Sequence, residues 1–389
     1  MKNFINYKSF IAKTQFGLEN VLAGELEKYG AKNIKIMNRA VGFEGNKELL
    51  YTANLSLRTA LRILVPLSSF NISNAGNLYK KTFAVNWVKF INPNKTFMIE
   101  SVVNSKLFKH SKFPSLKVKD AIVDKIRESR GKRPNINTVE PDIKIHLHIQ
   151  NNSCRIFLDS SGESLHKRGY RLEGFTAPLN ETLAAGMILL TGWNGDSNFI
   201  DPMCGSGTLV IEAAMIAMNI APNLNRNNLG FMKWKDFDNE LFNNVKNKLT
   251  ENQKELKIKI YGSDKSSKAV NIAKKNAQRA GLSNKIILER KNFTDVDKIG
   301  GNGLIVTNPP YGERIKERNL NNLYKNFGDV LKQKFTGYDA WILSSDKEAM
   351  KNIGLKTSKR LTLFNGALEC KFYNYKLFKG PLKKSKTAQ

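Results

Sequence analysis

The sequence predicts an α/β protein in two parts: a mixed α/β amino-terminal half, and a carboxyl-terminal half built on a twisted, mainly parallel sheet with helices on both faces. Three observations predict it. From about residue 180 the chain alternates helix-like and strand-like segments, the pattern that builds a parallel sheet. Two strand-like runs, "NFID" and "LIVT", pass straight into loops of unusual composition, "PMCGSGT" and "NPPYGER". The carboxyl ends of strands are where open α/β sheets bind ligands. Near residue 160 the character of the chain changes, and "SSGESLHKRGYRLEGFTAPLN" reads as a connection between domains. A chain of 389 residues accommodates two or three of them.

In the first half "SFIAKTQ" reads as a strand. "LENVLAGELEKYG" reads as a helix, with Leu18, Val21, Leu22 and Leu26 at helical spacing and Gly30 as its stop. "IKIMNRAVGFEG" resembles a hairpin, "TFMIESVVNS" a strand, and "VKDAIVDKIRESRGKRP" a helix with Val118, Ile122 and Ile126 one turn apart. "DIKIHLHIQNNSCRIFLDSSG" reads as two strands joined at Asn151-Asn152. In the second half the strands are "NFID", "IKIYGSD", "KIILERKNF", "GLIVTNPP", "DAWILSSD" and "CKFYNYKLF". The final "KGPLKKSKTAQ" reads as a frayed basic tail.

Composition narrows the function. Hydrophobic residues make up 41%, which supports real cores and excludes a mainly disordered chain. Lys and Arg number 63 against 34 Asp and Glu, a net charge of +29. So large an excess on a folded chain favours a polyanionic partner, through release of condensed counterions. A membrane partner is not expected, because no apolar run is long enough to span and no long basic amphipathic helix is evident. Cys154, Cys204 and Cys370 stand far apart without CxxC pairing, which argues against a disulfide framework and a structural zinc site. The amino terminus shows no signal-peptide pattern, so a cytoplasmic protein is expected. His146 and His148 alternate on one face of a strand with no third ligand nearby; they read as strand-surface or RNA-facing residues, and no metal is expected.

Cations concentrate on either side of the helix in the first half. Lys106, Lys109, Lys112, Lys117 and Lys119 precede or open it, and Arg130, Lys132 and Arg133 follow, with Phe108 and Phe113 interleaved. That mixture suits a surface gripping phosphates and unpaired bases together. His166, Lys167, Arg168 and Arg171 in "HKRGYR" form a second basic stretch at the domain junction, which either guides RNA or joins the domains.

The chemistry concentrates at four strand ends. The loop Asp201, Pro202, Met203, Cys204, Gly205, Ser206, Gly207, Thr208 turns tightly on its glycines and opens an amphipathic helix, whose free N–H groups face a ligand. It lacks the full GxGxxG and a ribose-binding acid at the dinucleotide spacing, so a dehydrogenase fits poorly. S-Adenosylmethionine fits better. Asp201 suits its ammonium group, Asp264 its ribose diol, and Asn292 with Phe293 its adenine amine and ring face.

The ordered set "SKLFKHSKFPSLKVKDAIVDKIRESRGKRP", "LHKRGYR", "APLNETLAAGM", "DPMCGSGTLVIEAAMIA" and "NPPYGER" resembles the THUMP-containing, RlmL-like RNA guanine-N2 methyltransferases over nearly the whole chain. The resemblance implies a ferredoxin-like segment at residues 1–60, a THUMP RNA-binding domain at 61–160 and a Rossmann-like class I methyltransferase domain at 161–389. It also implies a seven-stranded, mainly parallel sheet ending in an antiparallel hairpin. The implied partner is RNA, with large-subunit ribosomal RNA as first choice and tRNA as the alternative. The family is often fused to a second methyltransferase, whereas this chain carries one. Oligomeric state is not legible.

The doubled proline of "NPPY" acquires a purpose in this setting. Pro309 and Pro310 stop regular structure, and Pro309 pushes Asn308 towards an extended conformation. The Asn308 amide oxygen and the Pro309 carbonyl are then expected to accept the two N–H bonds of an exocyclic base amine, while Tyr311 stacks on the extruded base. Adenine-N6 methylation of DNA would use the same amine chemistry, and a catalytically silent RNA-binding protein would need neither motif. Cysteine catalysis at a pyrimidine carbon is disfavoured, because no cysteine sits at this loop.

Overall fold

In the computed structural model, residues 7–171, 179–310 and 317–378 are described, the side chains of 317–319 excepted. They form two compact units, and the chain changes unit more often than a simple two-domain order requires. The first comprises residues up to Thr14, Leu22–Leu165 and Asn223–Lys248; the second comprises Gln15–Val21, His166–Pro222 and the residues from Leu249 onwards.

The first unit carries one seven-stranded sheet in the order β2-β3-β1-β4-β7-β6-β5. Its strands are β1 (Ser9–Thr14), β2 (Lys32–Met37), β3 (Ala40–Glu44), β4 (Ala60–Asn71), β5 (Phe97–Asn104), β6 (Ile143–Gln150) and β7 (Ser153–Asp159). Its helices are α1 (Glu19–Lys28, whose first residues count with the second unit), α2 (Lys47–Ser56), α3 (Ala75–Phe83) and α4 (Phe113–Arg130). Gly30 and Gly131 follow α1 and α4 at φ +81° and +69°, a conformation glycine adopts without strain. The hairpin turns read from sequence are present, with Arg39 and Asn151 at positive φ. α2, β4 and α3 are not among the sequence-derived elements. β4 matters most, since it pairs with β1 on one side and β7 on the other and so makes one sheet of the ferredoxin-like and THUMP segments. Its Pro66 sits at a register shift, where a missing ladder donor is tolerated.

The segment Asn223–Lys248 builds into this first unit through aromatic packing. Phe231 stacks on Tyr51 with ring centroids 4.4 Å apart, and Phe237 and Phe242 close around them. Tyr7 Oη donates a 2.9 Å hydrogen bond to Asp236.

The second unit holds α5 (Glu181–Leu190), β8 (Asn198–Asp201), α6 (Thr208–Ala217), the end of α7 (Asn239–Glu251), β9 (Ile260–Asp264), α8 (Ser267–Arg279), β10 (Ile287–Arg290), β11 (Gly303–Thr307), α9 (Glu317–Lys334), β12 (Tyr338–Ser344), α10 (Lys347–Lys351), β13 (Lys359–Asn365) and β14 (Leu368–Lys376). The sheet order is β10-β9-β8-β11-β12-β14-β13. The strands from β10 to β12 are parallel, and β14 runs antiparallel to both β12 and β13. Six of these strands match the sequence reading; β13 completes the hairpin that the family resemblance implied.

Alternation along β11 shows why its sequence is apolar without a break. Leu304 and Val306 enter a core shared with α5, α6 and α8, while Ile305 enters a second core shared with α9 and α10. A strand covered on both faces has no solvent side on which to place polar residues. Leu18 belongs to the first of these cores, fully buried. Gly186 admits it, because a Cβ there would lie 2.6 Å from the Leu18 methyls.

Candidate active site

The parallel register brings the predicted cofactor residues to one edge of the second sheet. Asp201 lies opposite Gly262 of β9, and Arg290 of β10 lies opposite Asp264. The loop after β8 is held from several sides. Cys204 N–H donates to the Ser263 carbonyl (2.8 Å), Gly205 N–H to Asp264 Oδ2 (3.1 Å), and Asn276 Nδ2 to the Ser206 carbonyl (2.9 Å). Pro202 is buried, its carbonyl near Ser263 Oγ at 3.4 Å. Gly205 and Gly207 have φ +52° and +82°. A Cβ on Gly205 would meet no atom within 4 Å, so the loop faces open space at this point. Gly207 starts α6, and a Cβ on it would lie 3.0 Å from that of Ala273, which fixes how closely α6 approaches α8.

Asp201 is buried. Its Oδ1 accepts the Thr307 hydroxyl (2.7 Å) and the Met203 N–H (3.2 Å). Burial raises its pKa to about 7; the hydrogen bonds from Thr307 and Met203 work against that rise, and the Asp264 charge adds to it. Asp264 is half-buried, and its second oxygen accepts the Ser266 N–H at 2.9 Å. Asn292 is exposed and uses its side-chain oxygen on the Thr294 N–H of its own turn, at 3.5 Å. Phe293 is half-buried, edge-on to Phe327 of α9 at 5.4 Å. Cys204 is buried and burial raises its thiol pKa far above the usual value, so it supplies no thiolate.

Asn308 follows directly on Thr307. Its Oδ1 is buried and has no hydrogen-bond partner among the described residues. An unpaired buried acceptor costs about 1–3 kcal/mol, so such a group invites a functional explanation. Pro309 is buried, and the Pro310 carbonyl accepts from Tyr324 Oη at 3.5 Å; that hydroxyl also meets Ser344 Oγ at 3.0 Å, at the end of β12. Tyr311 lies outside the described residues.

The basic stretches divide. Lys106, Lys109, Lys112, Arg130, Lys132 and Arg133 are exposed around α4, with Lys117 half-exposed and its ammonium 5.7 Å from the ring of Phe113. Lys132 Nζ donates to Asn94 at 2.7 Å. Phe113 is 41% exposed, whereas Phe108 is buried and cannot stack on a base. In "HKRGYR", Lys167 is exposed and His166 half-buried. Arg168 is a correction: its side chain is 0% exposed and lies 3.6 Å from the equally buried Glu212 of α6, so its guanidinium is not available to phosphate. Breaking so buried a pair would strand the other charge. Arg171 is partly buried. It pairs with Glu181 (3.0 Å) and donates to the Leu179 carbonyl (2.7 Å) and Thr208 Oγ1 (3.1 Å), tying the start of α5 to the start of α6.

Thr307, Asn276 and Glu212 were missed by sequence reasoning. Thr307 carried one signal, being the polar residue that ends an apolar strand immediately before "NPPY". One histidine on β6 also gains partners: His146 Nε2 lies 3.2 Å from Asp159 and 3.3 Å from Glu100. Among the described residues no group of three or more His, Cys, Asp or Glu is arranged to hold a metal ion. Likewise no described helix is long and apolar enough to cross a membrane.

The model of the RMKL-like methyltransferase domain matches residues 168–374, that of the THUMP domain 73–159, and that of the RlmL ferredoxin-like domain 9–64. The chain belongs to the RMKL-like methyltransferase family. It is 37% identical over 373 residues to slr0064 of Synechocystis sp., a protein to which RNA methyltransferase activity is ascribed, covering 95% of this chain and 97% of that one. It is also 37% identical over 379 residues to ribosomal RNA large subunit methyltransferase K/L of Syntrophotalea carbinolica, covering 94% of this chain and 53% of the relative. The chain thus spans about half the length of the K/L relatives. The crystal structure of SMU.472, to which methyltransferase activity is ascribed, in complex with SAH superposes with a TM-score of 0.87 at 32% identity, covering 96% and 99% of the two chains. The cofactor of this RMKL-like chain is S-adenosyl-L-methionine, and the open loop beside two carboxylates suits a small cationic ligand.

The Asp201 carboxyl gives this site a pH signature. If Asp201 meets the cofactor's ammonium group, only its ionised carboxylate does so, and in the free protein that form is lost as pH falls through about 7. Cofactor affinity is therefore expected to be level above about pH 7 and to weaken below it, by at most about tenfold per pH unit. Calorimetry across that range checks this, and Asp201→Asn should flatten the dependence.

Proposed function

We propose that this chain transfers a methyl group from S-adenosylmethionine to the exocyclic N2 amine of a guanine in RNA, with 23S ribosomal RNA as the substrate. The observation that carries the reading is the buried Oδ1 of Asn308, which has no hydrogen-bond partner among the described residues and lies one residue beyond the side chain that bonds Asp201. An exocyclic amine has two N–H donors, and its lone pair is delocalised into the ring. Asn308 Oδ1 and the Pro309 carbonyl accept those donors and turn the nitrogen lone pair towards the cofactor side of the edge. Pro309 and Pro310 keep the acceptors rigid, with Tyr324 bracing Pro310 from α9. Tyr311 stacks on the extruded base. When bound, the cofactor supplies a methyl group already activated on a sulfonium. What remains for the protein is orientation. Asp201 meets the ammonium group, Asp264 the ribose diol, Asn292 and Phe293 the adenine, and the 205–208 backbone the methionine end.

RNA rather than DNA is supported by the THUMP match, by the naming of the K/L and slr0064 relatives, and by the exposed cations around α4. In this reading Lys106, Lys109, Lys112, Lys117, Arg130, Lys132 and Arg133 of the first unit grip phosphate, and His166 and Lys167 of the second unit add to them, while Arg171 serves the α5–α6 tie.

Asn308 acts mainly in the transition state, so Asn308→Ala should leave cofactor and RNA affinity nearly intact while turnover falls about 100-fold or more. Nucleoside mass spectrometry of 23S ribosomal RNA treated with labelled cofactor should find N2-methylguanosine. Labelled N6-methyladenosine would instead give the amine clamp to adenine. Neutralising Lys132 and Arg133 should weaken RNA binding across sequences and reduce the slope of log affinity against log salt by about one unit per lost contact at most. An unchanged slope would return that surface to simple solvation.

A further inference from the structure

We propose that Phe16, backed by Phe364, forms a ledge on which an unpaired base of the RNA stacks beside the nucleotide being methylated. This rests on the reading of the chain as an RNA methyltransferase and adds a contact site on its second unit.

The placement follows from bonds within that unit. Thr208 opens α6 immediately after the cofactor loop, and Arg171 joins its hydroxyl to Glu181 in the first turn of α5. The amino terminus of α5 therefore sits at the edge of the sheet where the cofactor residues gather. Gln15 Nε2 donates to Asn180 Oδ1 (3.0 Å) and lies 3.2 Å from Thr182 Oγ1, which brings the turn carrying Phe16 to that same edge. Phe364 approaches the same edge along β13, which runs parallel to β12 because both are antiparallel to β14. The strand order from the target residue outward is β11, β12, β14, β13. At about 4.8 Å per strand, β13 lies about 14 Å from β11. The residues proposed to hold the cofactor, Asp201, Asp264 and Asn292, lie on the opposite side, at the ends of β8, β9 and β10. RNA flanking a base held at Asn308 reaches Phe16 by running along the β12-to-β13 side.

The turn is built to hold an exposed ring. Phe16 is 40% exposed, while its neighbours are fixed: Leu18 is fully buried and Gly17 N–H donates to Glu19 Oε2 at 2.7 Å. Gly17 has φ +88°, and a Cβ there would lie 2.7 Å from the Thr362 carbonyl. Only glycine lets the turn lie this close to β13. Phe16 and Phe364 meet edge to face, with centroids 5.5 Å apart and planes at 87°. Such a contact covers at most one face of the Phe16 ring. A rigid, part-apolar step on a chain of net charge +29 suits an unpaired base, whose phosphates the chain attracts and whose π-face needs a surface.

Phe16→Leu keeps apolar cover over Phe364 but removes the aromatic plane, and Phe16→Trp keeps both. Binding of the full-length variants to protein-free 23S ribosomal RNA should be measured with S-adenosylhomocysteine present, over a range of salt. Phe16→Leu should weaken RNA binding about tenfold or more with an unchanged salt slope, since stacking releases no counterions. Phe16→Trp should bind as wild type, and calorimetric cofactor affinity should hold in both. Wild-type RNA affinity in Phe16→Leu would overturn the ledge, as would equal losses in both variants accompanied by loss of cofactor affinity. Asn308→Ala, assayed for turnover alongside, separates the two readings. Normal turnover there would sink the amine clamp and leave an affinity loss in Phe16→Leu standing.

Discussion

The hydrogen bond from Thr307 to Asp201, 2.7 Å long and buried, joins the two halves of the site. Parallel pairing of β8 with β11 sets the two residues at neighbouring strand ends, and burial on both faces of the sheet leaves the carboxylate few partners. The bond fixes the Asp201 carboxyl at the start of the 201–208 loop together with the residue before Asn308. Its geometry depends on apolar packing. Leu304, Ile305 and Val306 lock β11 between two cores, so the strand end cannot slide relative to β8. A one-residue slip would exchange the faces of every side chain on the strand.

Neither half of the sequence is self-contained. Gln15–Val21 counts with the second unit and Asn223–Lys248 with the first. Leu18 helps close the methyltransferase core, and Phe231 stacks into the first unit against Tyr51. Each unit therefore needs apolar side chains encoded within the other's stretch of sequence. A cut near residue 160 would remove Leu18 from one core and Phe231 from the other.

Much of this was legible because the local signals agreed with one another. The strand ends at Asp201, Asp264 and Asn308 were readable, since each apolar run stops at a polar residue followed by turn chemistry. β4 was not, because Pro66 interrupts it and only a partner strand reveals that the proline sits at a register shift. Arg168 read as an exposed cation because sequence shows charge but not the buried Glu212 that meets it. Phe108 and Phe113 look equivalent in sequence, yet only Phe113 is exposed. The Thr307 bond was out of reach for a similar reason: its two residues are separated by 106 positions, and only sheet pairing joins them.

The most direct test is a double-mutant cycle on turnover, with Thr307→Val and Asp201→Asn made singly and together. If the bond couples cofactor placement to amine placement, the double variant should lose little more turnover than the worse single variant, leaving a large interaction energy. Losses that simply add would mean that the cofactor loop and the Asn308 loop act independently, contrary to this account.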